Sequence, residues 1–205
     1  YFRNKFKSSK IIIENYAIGA VKKKVSLKQL KESSSSTIRN LNEDSKYFKK
    51  KLFFLQGDKK GPFFKEVEVE QITLSDYLMK HNIGNVDFLK IDTEGYEFEV
   101  LIGAKDVLSK ISIVLFEHHY DDMITKNYKF SDIHNLLLTN HFTQLYKSKM
   151  PFRKTFEYIY IILPYIHITC WDVVYVYTCT CILLYVLWKT VLLSNTNMVY
   201  CMFFK

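Results

Sequence analysis

The residues best suited to chemistry in this chain are acids that stop apolar runs. Val86 to Ile91 is a short run interrupted only by Asp87 and Lys90, and it ends in Asp92-Thr93-Glu94-Gly95. Ile111 to Phe116 is a second run, and it ends in Glu117-His118-His119. Carboxylates and imidazoles are the side chains that most readily take or give a proton near neutral pH. Glu14 and Asn15 follow a third run, Ile11 to Ile13. Two readings of the first cluster stand side by side. Asp92 and Glu94 form one wall of an active site, or Asp92 or Thr93 caps a following helix whose positive end suits Glu94. A metal held by His118, His119 and the neighbouring acids is not expected, because adjacent residues of a strand point to opposite faces.

Those runs are the elements that must position the acids. Runs of this length read as buried strands, and beyond Gly95 the residues Val100, Leu101, Ala104, Val107 and Leu108 recur at helical spacing. A strand, an acidic tip and a helix make half of a βαβ unit, and open α/β sheets bind ligands at the carboxyl ends of their strands. Val67 and Val69 alternate with Glu66, Glu68 and Glu70 as a half-exposed strand. Thr73 with Asp76 predicts a capped helix over Leu74 to His81. Ser131 is positioned to cap a helix carrying Ile133, Leu136 and Leu137, with Asn140 as its left-handed stop. Phe142–Tyr146 and Phe156–Ile162 then predict an antiparallel pair. Val21 to Leu27 alternates weakly as an outlying strand, and Lys28 to Gly61 reads as long loops around short elements. The order implies an α/β sandwich with a mostly parallel sheet and an antiparallel terminal hairpin.

The 205 residues suffice for one ordinary domain, and 48% apolar with 24% charged residues excludes a disordered chain. The net charge of +8 comes mostly from lysines before Leu55, such as Lys22 to Lys24 and Lys49 to Lys51. They suit anionic surfaces, but aromatics do not interleave with them as in RNA-binding modules, so a nucleic-acid partner is not expected. All four cysteines lie at or after Cys170, without a CxxC pair, so the body has neither a disulfide framework nor a cysteine zinc site. The chain starts at Tyr1 with no signal-peptide pattern and reads as an amino-terminally truncated one.

Four collinear stretches resemble the FkbM-type methyltransferases. Phe88-Leu89-Lys90-Ile91-Asp92-Thr93-Glu94-Gly95-Tyr96-Glu97 with Val100-Leu101-Ile102-Gly103-Ala104 is similar to the family signature. Glu14-Asn15-Tyr16-Ala17-Ile18-Gly19, Ile72-Thr73-Leu74-Ser75-Asp76-Tyr77-Leu78 and the strand-closing Glu117 resemble its other elements in order. The resemblance spans about Ile11 to Ile162. It implies the Rossmann-like class I fold, S-adenosylmethionine as cofactor, and methylation of a hydroxyl on a small molecule, sugar or lipid. It assigns Glu14, Asn15, Ala17, Asp92 and Gly95 to the cofactor, Asp92, Glu94 and Glu117 to catalysis, and His118 and His119 to the acceptor; no metal is implied. The six glycines form no G-x-G-x-x-G run, so the family's first βαβ unit is expected to be missing. The alternative is a non-catalytic remnant of the fold, or a membrane-associated binding module.

A partial methyltransferase domain over 1–163 is thus followed by an apolar tail over 164–205. From Val173 to Trp188 no residue is charged, and the apolar character resumes after Lys189 as far as Leu193. About 20 apolar residues cross a bilayer, so 173–193 is a candidate span. The protein is expected at a membrane if the tail is genuine, and in the cytoplasm otherwise. A packed strand pair and an unrelated coding extension are the competing readings of the same stretch.

Overall fold

A computed structural model of the chain describes residues 14–30, 36–56, 64–151, 154–162 and 198–202. The candidate span at 173–193 and the run Ile11 to Ile13 lie outside the described residues. Among those described, no helix is long and apolar enough to cross a membrane.

The architecture is mixed α/β with two sheets. The first is four-stranded, in the order β1-β4-β2-β3, from β1 (Tyr16–Ile18), β2 (Lys23–Leu30), β3 (Ser36–Thr37) and β4 (Phe64–Ile72). The second is five-stranded, in the order β7-β8-β6-β5-β9. Its strands are β5 (Val86–Asp92), β6 (Ile111–His119), β7 (Phe142–Lys149), β8 (Thr155–Ile162) and β9 (Met198–Met202). One mostly parallel sheet was the expectation; the described residues form two sheets of mixed pairing. Among the described residues β1 with β4, β5 with β6 and β5 with β9 are parallel, while the other four pairings are antiparallel. The weakly alternating segment after Gly19 is a full partner of β4, because its lysines fall opposite the glutamates. Lys24 Nζ lies 2.8 Å from Glu68 Oε1, and Ser26 Oγ donates to Glu66 Oε2 at 2.8 Å. Such cross-strand pairs favour the antiparallel register.

The apolar runs form the central strands as expected, with β6 continuing through Glu117 and both histidines. The predicted β7–β8 hairpin is antiparallel. Helix α1 (Lys46–Gln56) is a correction, since it sits in a stretch read as loops. Ser45 Oγ accepts from the Tyr47 and Phe48 amides at 3.2 Å each, and Phe48 packs with Met123 and Ile124. α2 (Leu74–Lys80) is capped by Thr73, whose hydroxyl accepts from the Asp76 amide. α3 (Glu97–Gly103) stops short of Val107 and Leu108, which belong to a separate 3-10 turn, Lys105–Lys110. Gly103 is needed where the chain crosses β1's exit: a Cβ there would stand 2.0 Å from the Gly19 carbonyl oxygen. α4 (Phe130–Thr139) begins one residue before the predicted Ser131, with Asp132 Oδ2 accepting from the Lys129 amide at 2.7 Å. Asn140 has φ −101°, so it is not the left-handed stop; His141, at φ 66°, takes that conformation.

Residues of α2, α3 and α4 join one face of the five-stranded sheet in the larger core, around Leu89, Ile91, Val114, Phe116, Tyr158 and Tyr160. The other face carries a smaller cluster of strand residues only, Phe88, Leu115, Ile159 and Ile161. β9 lies parallel to β5, pairing Cys201 with Ile91, and the Cys201 thiol is pushed up to about 12 by burial.

Candidate functional site

The tip of β5 is a braced turn. Glu94 has φ 47° and Gly95 φ 91°, both left-handed. Glu94 holds a conformation that costs a side-chain-bearing residue of the order of 1 kcal/mol. At Gly95 any Cβ would also lie 2.7 Å from Ile124 Cγ2, so only glycine fits. The brace is Glu97, which is fully buried. Its Oε1 accepts from the Gly95 amide at 2.7 Å and from Thr93 Oγ1 at 3.3 Å, and its Oε2 accepts from the Tyr128 hydroxyl. From the other side, Thr37 Oγ1 donates to the Glu94 carbonyl at 2.8 Å and Arg39 Nε to the Gly95 carbonyl at 3.1 Å. The helix-cap reading of Asp92 and Thr93 fails here. The residue at the cap position of α3 is Tyr96, and no side chain bonds there.

The register of β5 with β6 pairs Ile91 with Phe116, which sets Asp92 beside Glu117 on the face away from the helices. Glu117 is pushed up to about 7 by burial and then by the Asp92 charge, against the pull of Lys90. A carboxyl near neutrality is poised to exchange a proton. Lys90 Nζ stands 3.8 Å from Asp92 Oδ2. His119, 6% exposed, reaches in two directions. Its Nε2 lies 3.1 Å from Glu94 Oε2, and its Nδ1 lies 3.0 Å from Thr155 Oγ1 and 3.6 Å from Asp121 Oδ2. Burial pulls its pKa down, but the Asp121 bond and the Glu94, Glu97 and Asp121 charges outweigh that and raise it. The ring thus favours the imidazolium form between two carboxylates. His118 faces the opposite way, as alternation requires. It is buried against Tyr120, Tyr128 and Phe130, with Nδ1 lacking a hydrogen-bond partner. Burial, then the Lys126 and His119 charges, lower it to about 3, so it is neutral.

The structure brings Asp92, Glu94, Gly95, Glu117 and His119 together at the strand ends, and leaves Glu14, Asn15 and Ala17 apart. Glu14 and Asn15 immediately precede β1. β1 pairs with β4 in the other sheet. Glu14 Oε1 lies 3.4 Å from His81 Nε2 at the end of α2, and Ala17 is core. Four contributors were missed by sequence reasoning: Glu97, Arg39, Lys126 and Tyr128. The Arg39 guanidinium lies over the Tyr96 ring at 5.0 Å and the Tyr128 ring at 5.7 Å, and pairs with Glu99. Only Glu97 had a local signal, its place two residues after the glycine.

Two cavities matter. A cleft of about 350 Å³ lies against the turn, lined by Lys23, Arg39, Asn40, Tyr96, Thr125 and Lys126 among others. An open groove of about 720 Å³ lies at the other end of the strands, between α2 and the 3-10 turn, and none of the acidic tips lines it. Among the described residues, no group of three or more His, Cys, Asp or Glu is arranged to hold a metal ion. Against known proteins, the family pattern described as the methyltransferase FkbM domain matches residues 2–146, well over half of the chain. No curated protein and no solved structure matches.

Proposed function

Because the chain belongs to the FkbM methyltransferase family, we propose that it transfers a methyl group from S-adenosylmethionine to a hydroxyl of a small molecule, sugar or lipid. The observation that carries this reading is the braced turn at Glu94-Gly95 with Asp92, Glu117 and His119 around it. The cofactor fits the chemistry of this donor set, since a sulfonium is cationic and the strand ends are rich in carboxylates. Asp92 would hold its charged end. When bound, it supplies a methyl group on a positively charged leaving group.

The chain's own residues supply positioning and proton transfer. The brace keeps Glu94 fixed without reorganisation, and fixed geometry can supply much of the acceleration in a two-reactant displacement. His119 holds the Glu94 carboxylate from one side and is itself held by Thr155 and Asp121. Glu117, near neutrality, takes the proton that the attacking hydroxyl loses.

The test is calorimetric titration of the full chain with S-adenosylmethionine, followed by labelled-methyl transfer to a panel of hydroxyl compounds. Asp92→Asn should weaken donor binding at least tenfold and Glu117→Gln should spare it while slowing transfer. A full chain that binds no donor refutes the reading.

A further inference from the structure

The cleft against the turn has a charge imbalance that the turn itself does not explain. Three of its lining residues are cationic, Lys23, Arg39 and Lys126, and none is acidic. Arg39 is offset by Glu99, whose carboxyl burial pushes up even beside the guanidinium. That leaves Lys23 and Lys126 as two cationic side chains in a lining without a carboxylate, which suits the −1.5 to −2 carried by a phosphomonoester better than the single charge of a carboxylate. Lys126 is the informative member. Burial lowers its pKa, and Arg39 lowers it further, against Glu97 and Asp121. A half-buried ammonium beside a guanidinium is costly until an anion joins them.

The rest of the lining supplies neutral donors. Lys28 Nζ donates to Asn40 Oδ1 at 2.7 Å, so the amide nitrogen of Asn40 is the end left to donate. Thr125 and Asn127 complete the wall, and the Thr125 amide is pinned to the Asn40 carbonyl at 3.0 Å. The cleft is also tied to the reacting end. Lys126 Nζ donates to the carbonyl of His119, the residue that holds Glu94, and Arg39 Nε donates to the carbonyl of Gly95.

We propose that this cleft is an acceptor subsite for a phosphomonoester, so that the molecule methylated carries a phosphate gripped by Lys23, Arg39 and Lys126 while its hydroxyl reaches the Glu94–His119 side of the turn. The inference rests on the methyl-transfer reading for its meaning, but its test uses no methyl donor. The full chain is titrated with glycerol 3-phosphate and with glycerol, and is mixed with vesicles of phosphatidic acid or of phosphatidylcholine. Glycerol 3-phosphate should bind and glycerol should not. Lys126→Met should weaken binding about tenfold, the loss of one charge-assisted bond. Lys23→Met, on an exposed strand position that leaves the fold intact, should weaken it several-fold. Binding to phosphatidic acid vesicles alone, lost in both variants, assigns the phosphate to a lipid. Equal binding of glycerol and glycerol 3-phosphate, binding of neither probe nor vesicle, or full affinity in both variants overturns the proposal. A chain that binds the phosphate but not S-adenosylmethionine keeps the anion site and loses its role as acceptor subsite.

Discussion

Glu117→Gln should stabilise this protein at neutral pH while impairing it. In the folded chain the Glu117 carboxyl titrates near 7, raised from an ordinary value of 4.5 by burial and by Asp92. A folded-state pKa above the unfolded one means that, between those values, the native state binds more protons than the unfolded state. Stability therefore falls as pH rises from about 4.5 to 7, and the loss is complete above the folded pKa. At about 1.4 kcal/mol per pH unit the whole displacement corresponds to roughly 3 kcal/mol. The side chain is partly reached by water, and screening reduces this to about 1 to 2 kcal/mol. Urea unfolding of the full chain at pH 4.5, 6 and 8 reads the effect. The two proteins should match at pH 4.5, and the glutamine variant should be the more stable by that amount at pH 8. The same variant should lose about 10²-fold or more in methyl transfer, since it cannot accept the proton. Parallel stability profiles across this range would refute the argument for a strained, near-neutral carboxyl. A stabilised variant with undiminished turnover would keep the electrostatics and remove Glu117 from the chemistry.

Two further substitutions test the turn. Gly95→Ala should cost about 2 to 4 kcal/mol in urea unfolding, from backbone strain at φ 91° together with the Ile124 contact; a loss below 1 kcal/mol would mean that the turn relaxes freely. Glu97→Met leaves the Gly95 amide and the Tyr128 hydroxyl without their acceptor, so a loss of about 3 kcal/mol or more is expected. In amide hydrogen exchange, that variant should also lose the protection of the Gly95 amide, and unchanged protection would show that the brace is not what holds the turn.

What could be read in advance, and what could not, divides along sequence separation. The central strands were legible because an apolar run of strand length has few other uses, and α2 was legible because Thr73 caps it three residues from Asp76. α1 was hidden by lysines on its exposed side, and its start is decided by the Ser45 hydroxyl and by Phe48 meeting Met123 and Ile124, some 75 residues on. His141 instead of Asn140 takes the left-handed turn, although both residue types tolerate that conformation. The same division runs through the site. Glu94 and Glu97 have equal standing in the sequence, as acids flanking a glycine at the end of a strand. Only their partners separate them: Glu97 is spent on Gly95, Thr93 and Tyr128, while Glu94 turns to His119, a residue from the next strand. Arg39 and Lys126 reach the turn from opposite directions, 56 residues before Gly95 in one case, and share no local pattern with it. A motif thus marks the acidic turn, but which of its acids braces the chain and which turns to a neighbouring strand is decided by residues that no motif contains.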